Sequence, residues 1–454
     1  MSIGARLSLL GRNASRLFVR IAREKRANVA IMFGLMAPVL LGGLGVAVET
    51  GNWYYVQRGM QNAADAAAIA ASTNGTSSYA AEADAVAETY GYTNGVNSVV
   101  VAASNAAACP AGGSTCYSVT ITKPVPLYLA PVLGFTGNTT VNGKSAVSLQ
   151  ASATATQGTQ SVDLCLLALG TTSTPLQTNG APKANLAGCN VMSNAGADCN
   201  GHNLGATYGL AHGTDNGCGI TQESDVPEVA DPYAYLAASI PKNTCSSYAQ
   251  ESGGKKGGIS SLPANQQWSG TETLGATTEI CGDLGLTGNV TINDSAGPAV
   301  LVIENGQLDT GSYTLSTSSG SPVTIIFSGD GTYTGAQSPG GSGTLNIQAP
   351  TSGTWAGMAI YQDPNLSDTN GQMDVSAAGN SPTWDITGVV YLPNASVTFS
   401  GAVGKSNNGN ACFVLVVNNI TINGTADMLS NTQCAATGVN QPTGQIPGRG
   451  QLVL

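Results

Sequence analysis

The chain has 454 residues, of which 42% are hydrophobic and only 9% are charged. Soluble globular domains usually carry about 25% charged residues, so this composition excludes an ordinary charged, soluble surface. Small residues, including 59 glycines, replace the missing charged residues. Two classes of protein have such a composition: disordered low-complexity chains and exported β proteins. β-branched runs at residues 299–303 and 323–327 favour the exported β class.

Charge is distributed unevenly along the chain. Residues 1–26 hold seven basic side chains and one acid, a net charge of +6, whereas the whole chain carries −10. The remainder, the difference between these two values, carries −16. An acidic remainder without a basic groove excludes nucleic acid as the expected partner. A basic arm directly before an apolar run is instead typical of the cytoplasmic flank of a membrane helix.

Residues 27–48 contain no charged side chain. As a helix this run extends about 33 Å, enough to cross a hydrocarbon core of about 30 Å, so we predict a single-pass span in a lipid bilayer. Trp53, Tyr54 and Tyr55 follow where an interfacial aromatic belt lies. The alternative is a cleaved signal peptide, but the run is longer than a typical signal h-region. We therefore predict a signal-anchor with a cytoplasmic N-terminus.

The span is predicted to be the first half of one long helix over residues 27–72. Good helix formers continue without proline beyond residue 55, and Thr73-Asn74-Gly75 gives a stop signal. Apolar residues recur at steps of three and four along the outer half and form one narrow face. This face is predicted to pack on a partner helix or on the domain that follows. Its members are Val56, Met60, Ala63 and Ala67.

A small α/β module is predicted over residues 73–160. Its elements are a second helix at 79–90, strands near 97–103, 117–122 and 139–150, and a short helix or packed loop at 124–134.

Residues 161–435 are predicted to form a β-solenoid, similar to a right-handed parallel β-helix. Short β-rich runs alternate there with Gly, Asn, Asp and Ser, and strand starts recur at a mean spacing of about 21 residues. A β-sandwich is the alternative fold, since it also has many short strands. The tail, 436–454, has no clear pattern and is predicted to be flexible. The predicted strand starts are near residues 286, 300, 323, 344, 357, 387 and 413.

Ten cysteines, an even number, all lie after the predicted span. In an oxidising compartment such a set indicates disulfides, and the predicted topology places the cysteines in such a compartment. Sequence alone leaves 945 possible pairings; proximity favours Cys109 with Cys116 and Cys412 with Cys434. The remaining candidates are Cys165, Cys189, Cys199, Cys218, Cys245 and Cys281.

Catalytic and metal-binding constellations are weak. Cys199, His202, His212 and Cys218 have a tolerable spacing for zinc, but disulfides would use the same cysteines. Acids in the solenoid are scattered, and residues 260–434 contain one basic side chain, Lys405. We therefore predict no enzyme, no cofactor, no metal and no catalytic residue.

The N-terminal region resembles TadG-like proteins of the TadE/TadG-like Flp (tight-adherence) pilus assembly family. The residues that carry the resemblance are 26–33, the apolar run with Pro38, and 55–67, whose block Gln-Asn-Ala-Ala-Asp-Ala-Ala is the most specific part. Pilin-like relatives carry a glutamate where this chain has Met32, so the resemblance implies an anchor and not a pilin. No Asp-x-Ser-x-Ser motif of a von Willebrand A domain is present.

The resemblance implies a non-enzymatic component of pilus assembly, anchoring or surface adhesion. It implies the bacterial inner membrane as the location, a periplasmic or cell-surface domain, and pilins or other pilus-assembly proteins as partners. The alternative of a different class is a secreted carbohydrate-binding or carbohydrate-active β-helix. Aromatic residues make up only 6% of the chain, which disfavours a carbohydrate cleft.

Overall fold

A computed structural model describes residues 25–109, 115–251, 259–294, 297–333, 335–367, 374–377, 383–403, 412–424, 427–429 and 434–453. It is mostly β, with 44% strand and 20% helix. The chain forms two compact units. The first unit consists of the residues up to Gln160 together with those from Pro447 onward, and the second runs from Ser161 to Ile446.

One long helix begins the first unit. Helix α1, Lys25–Asn74, continues through Pro38 without interruption. Its apolar half is long enough to cross a membrane, and its most apolar 18-residue window is only 6% buried. The prediction of a single long helix is confirmed, with each end two residues beyond the predicted bounds.

The rest of the first unit is a helix on an antiparallel sheet. Helix α2 is Tyr79–Thr89, and a single 3-10 turn covers Ala130–Leu133. The strands are β1 Val100–Ala107, β2 Cys116–Pro126, β3 Thr139–Val141 and β4 Lys144–Ala168; the part of β4 up to Gln160 lies in this unit. In the sheet β2 pairs with β1 and β4, and β3 pairs with β4.

The C-terminal tail is ordered, which corrects the prediction of a flexible segment. A strand over Thr443–Leu452 pairs with β4, and Val453 N donates to Thr154 O at 2.9 Å. Gly450 N also donates to the Thr73 hydroxyl at 2.8 Å. Glycines on both strands allow this close pairing: a Cβ on Gly158 of β4 would clash with Arg449 O, and a Cβ on Gly448 would lie only 3.0 Å from the carbonyl carbon of Thr159.

The second unit is a stack of short parallel strands, as the β-helix-like prediction requires. The early strands are β5 Leu176–Asn179, β6 Lys183–Asn185, β7 Asn190–Ser193, β8 Ala197–Asp198, β9 Tyr208–Ala211, β10 Asp215–Asn216 and β11 Thr221–Glu223. The later strands are β12 Gln267–Leu274, β13 Thr277–Cys281, β14 Leu284–Asp294, β15 Ala299–Glu304, β16 Leu308–Asp309, β17 Thr314–Thr317, β18 Val323–Ser328, β19 Pro339–Gly340, β20 Thr344–Gln348, β21 Met358–Gln362, β22 Asp374–Ala377, β23 Thr383–Phe399, β24 Ala402–Val403, β25 Phe413–Asn423, β26 Asp427–Leu429 and β27 Thr443–Leu452.

The stack does not follow chain order. From β13 it runs through β15, β18, β21, β23 and β25, and Leu415 of β25 then pairs with Leu166 of β4. From β4 it continues through β7 and β9 to β11. The chain therefore enters the stack in its middle and builds one end first. Residues 224–266 then lead to β12 and β13, from which the other end is built.

Two faces of the stack differ in burial, and the sequence pattern follows that difference. The part of the sheet formed by β15, β18, β21 and β25 is buried on both faces: its inner side chains join the core between the sheets, and its outer ones pack under residues 226–240. Its strands are accordingly continuous apolar runs, such as β18, which is buried at every position. The opposite sheet alternates, as in β20.

Candidate functional site

The apolar face of α1 packs on the module that follows it. Met60, Ala63 and Ala67 are fully buried, and Val56 is partly buried against the same cluster. Their neighbours include Ala83 and Ala87 of α2 and inward side chains of β1, β2 and β4, such as Val101, Val119, Ile121 and Ala153. The sequence left two possible neighbours for this face, a partner helix or the domain that follows. In the structure the face packs on the module that follows. The alanines allow the helix to lie close to the sheet.

Glu49 fastens the outer end of the apolar run to the segment before the 3-10 turn. Its side chain is 5% exposed. Oε1 accepts from Tyr128 N at 2.8 Å, and Oε2 accepts from Leu129 N at 3.1 Å and Ala130 N at 2.6 Å. The carboxylate thus satisfies amides at the start of the turn, which is the role of an N-terminal cap. This role of Glu49 was not predicted from the sequence.

The ten cysteines form five disulfides. Cys109 bonds to Cys116 beside the β1–β2 hairpin, and Cys412, directly before β25, bonds to Cys434, which begins a 3-10 turn after β26. Inside the second unit Cys165 bonds to Cys189, and Cys199 bonds to Cys218. Cys245 bonds to Cys281 and joins the segment that precedes β12 to β13.

The disulfides argue against the zinc site considered from the sequence. Cys199 and Cys218 are bonded to each other, so neither sulfur is a free ligand. His212 Nδ1 lies 2.9 Å from Val226 O, in a hydrogen bond to the backbone. Cys245, Glu279 and Cys281 also lie within ligand distance of one another, but their two sulfurs are likewise bonded.

One buried acid of the second unit, Asp283, connects neighbouring turns of the chain through hydrogen bonds. Asp283 is 2% exposed, and its Oδ1 accepts from the Tyr333 hydroxyl at 2.6 Å and from Gln307 N at 3.0 Å. Its Oδ2 accepts from Glu251 N at 2.7 Å. With both oxygens engaged by structural donors, this carboxylate holds neighbouring turns together.

Glu304 is a second buried acid, and its carboxylate is only partly satisfied by hydrogen bonds. It is 1% exposed, and Oε2 accepts from Asn243 Nδ2 at 2.9 Å, while Oε1 has no partner among the described residues. Burial, followed by the negative charge of Glu279, raises the pKa of Glu304 to about 7. The fold therefore favours the protonated carboxyl.

Stability is expected to fall as pH rises because of Glu304. A carboxyl with a raised folded-state pKa contributes its stability fully below about pH 4.5 and loses it as pH rises through about 7. Glu304→Gln should therefore raise the free energy of unfolding by about 2 kcal/mol near pH 8 and change it little near pH 4.5. Thermal unfolding at the two pH values measures this. Glu272→Gln on β12 is the control, and an equal pH response of the two variants would contradict the account.

A polar cleft of about 530 Å³ lies on the early half of the stack. Its described lining residues include Asn194, Asp198, His212 and Asn216, with no Trp or Tyr among them. A carbohydrate-active cleft usually combines a pair of carboxylates with an aromatic ring on which the sugar stacks. This cleft offers one acid and no stacking surface, so it does not support the carbohydrate alternative.

Residues 27–85 match the family model described as putative Flp pilus-assembly TadE/G-like. The chain is therefore similar to TadE/TadG-like proteins over residues 27–85, called here the TadE/TadG-like segment. The resemblance inferred from the sequence is thereby confirmed. No curated protein and no solved structure matches the chain.

The TadE/TadG-like segment coincides with the geometry described above. It comprises most of α1 and most of α2, including the buried face of Met60, Ala63 and Ala67. The exposed apolar helix and the family together indicate membrane anchoring, and the family indicates interaction with other pilus components. It also favours a structural role over catalysis.

Removing the charge of Glu49 is expected to loosen the connection that it makes. Glu49→Gln replaces one acceptor oxygen by an amide donor facing backbone donors, which should cost about 1–3 kcal/mol. Protease cleavage within residues 127–135 of the detergent-solubilised protein measures the loosening. Glu88→Gln, on an exposed acid of α2, is the matched control and should leave the cleavage rate unchanged. Equal rates for the two variants would contradict a capping role.

Proposed function

We propose that this protein is a non-enzymatic, membrane-anchored component of Flp/Tad pilus assembly that acts in anchoring or surface adhesion. The observation that carries the proposal is the coincidence of the TadE/TadG-like segment with a helix that is exposed and apolar in one half and packed on a folded module in the other. Such a helix transmits position mechanically, since no linker separates its two halves.

The proposed location is the bacterial inner membrane, with residues 1–26 in the cytoplasm and the β domain in the periplasm or at the cell surface. The basic arm supports this orientation through the positive-inside bias. The pairing of all ten cysteines supports an oxidising compartment for residues 109–434.

The mechanism we propose is mechanical. The packed face of α1 fixes the module to the anchor, and the disulfide-linked stack presents its surface to a pilin, another assembly protein or an external ligand. Acidic, glycine-rich surface with few aromatic residues is suited to protein contacts better than to sugar stacking.

Deleting the gene in its own host tests the proposal. We expect loss of surface Flp pili in electron micrographs or of pilus-dependent attachment, restored by the wild-type gene. In-cell crosslinking should also recover pilins or assembly proteins with the wild-type protein. Unchanged pili and attachment, together with specific retention of the purified protein on a polysaccharide, would overturn the proposal in favour of the carbohydrate alternative.

A further inference from the structure

An uncharged, apolar loop lies beside the apolar half of α1. Between Lys123 and Lys144 the chain carries no charged residue. Its most apolar part, residues 127–135, is here named the juxtamembrane loop. Large side chains of this loop face outward: Val132 is 84% exposed, Tyr128 69% and Leu133 58%. In an aqueous setting this apolar exposure, concentrated within a few residues, would be unfavourable.

The loop contacts α1 inside the predicted span, not beyond it. A Cβ on Gly45 would lie 3.4 Å from Leu129 Cδ1, and one on Gly42 would lie 3.6 Å from Leu133 Cδ2. Gly42 precedes Val48, the last residue of the uncharged run, by six positions, or about 9 Å along a helix. A span that occupies the bilayer therefore carries Leu133 to a depth of about 9 Å, which is the depth reached by interfacial apolar elements.

Backbone amides of the juxtamembrane loop have hydrogen-bond acceptors within the protein. Glu49 accepts the amides of Tyr128, Leu129 and Ala130. Within the loop Val132 N donates to Leu129 O at 3.1 Å, and Phe135 N donates to Ala130 O at 3.1 Å. Leu127 N donates to Ser145 O, Gly134 N donates to Pro131 O, and Pro131 has no amide hydrogen. Unpaired amides are costly in lipid, and these amides are paired.

We propose that the juxtamembrane loop inserts into the outer leaflet of the bilayer that α1 crosses, as a second, non-spanning membrane contact. The occupant of its exposed face is lipid acyl chain. Lipid is favoured because the loop continues the exposed apolar surface of the span, where Val39 is 73% and Leu44 63% exposed. Trp53 packs near Phe135, with ring centroids 6.0 Å apart, at the level where aromatic side chains meet the headgroups.

This inference rests on the proposed membrane anchoring, and it implies that the module has a fixed orientation on the membrane. One helix alone leaves the attached module free to tilt and rotate about the membrane normal. A second insertion point, tied to the helix by Glu49, fixes the orientation of the module relative to the bilayer surface. A pilus-assembly partner approaching in the plane of the membrane would then meet one fixed face of the module.

Photocrosslinking of the full-length protein in vesicles of phosphatidylethanolamine and phosphatidylglycerol tests the inference. The photoreactive residue p-benzoylphenylalanine is placed singly at Val132 in the loop, at Leu40 in the span and at Tyr90 on the exposed surface of the module. Mass spectrometry then distinguishes lipid adducts from protein adducts. Tyr128 is a second loop position, used if the Val132 variant does not fold.

Lipid adducts at Val132 and Leu40, with none at Tyr90, are the expected result. Glu49→Gln should lower the lipid adduct at Val132 and leave that at Leu40 unchanged. Lipid adducts at Leu40 without any at Val132 or Tyr128 would overturn the inference but leave the membrane anchor supported. Adducts at Val132 or Tyr128 that join two protein chains would also overturn the inference. Absence of lipid adducts at Leu40 would instead contradict the anchor itself, and with it the inference.

Discussion

Ala67→Asp is expected to destabilise the first unit by at least about 3 kcal/mol, because it places an unpaired carboxylate in a fully buried position. Ala67 is 0% exposed between α1 and the module, in a cluster whose members are apolar. Its neighbours Ala63, Ala64 and Ala68 are equally buried, so the new side chain cannot reach water without separating the helix from the sheet.

Limited proteolysis of the module and thermal unfolding, both on the detergent-solubilised full-length protein, measure this effect. The control is Asn62→Asp, which adds the same charge to the same helix at an exposed position and should change neither readout. If Ala67→Asp were tolerated as well as Asn62→Asp, the buried face of α1 would not hold the module, and the mechanical account of the anchor would fail.

Removing the Cys165–Cys189 disulfide is expected to destabilise the second unit by about 3 kcal/mol, from the loop that it closes in the unfolded chain. The two cysteines are 24 residues apart and are 0% and 1% exposed, so a double replacement by alanine also leaves unfilled space in the core. This pair lies where the chain enters the stack, next to the contact between β4 and β25.

Chemical unfolding of the Cys165→Ala/Cys189→Ala variant, compared with the wild type, gives the loss directly. The matched control is Cys109→Ala/Cys116→Ala, which opens a loop with a separation of only 7 residues in the first unit. It should leave the unfolding of the second unit unchanged. If the free energy of unfolding of the second unit were the same in the two double variants, the Cys165–Cys189 disulfide would not contribute to its stability.

The long helix was predictable because each half has its own signal. Residues 27–48 show hydropathy and a basic flank, and residues 56–72 show a face of recurring apolar residues. The sequence could not choose between a partner helix and the module as the neighbour of that face. Alanine-rich faces suit both, and the choice depends on the sheet that β1, β2 and β4 form from distant segments.

The stack was predictable as a type but not in its order. Strand starts near 300, 323 and 413 follow from β-branched runs, and the structure has strands beginning at Ala299, Val323 and Phe413. The neighbouring position of β25 and β4 is invisible in the spacing, because it joins residues about 250 apart in the chain. Regular spacing indicates stacking but does not show where the chain enters the stack.

The Glu49 cap was not predicted, because the residues next to Glu49 do not show which amides its carboxylate accepts. A signal was present: an acid at the outer end of an apolar span and a separate uncharged stretch, residues 124–143. Only the fold brings these two features together. The tail was misjudged for a similar reason, since glycine-rich β27 pairs with a strand almost 300 residues earlier.

We propose that one uncleaved helix anchors a disulfide-linked domain in an oxidising compartment. The decisive experiment is mass spectrometry of the protein extracted from membranes and digested without reduction. We expect N-terminal peptides from residues 1–26 and the linked pairs Cys165–Cys189 and Cys245–Cys281, with no cysteine open to alkylation. A mature N-terminus near Asn28 or Val48, or alkylation of these cysteines without reductant, would contradict it.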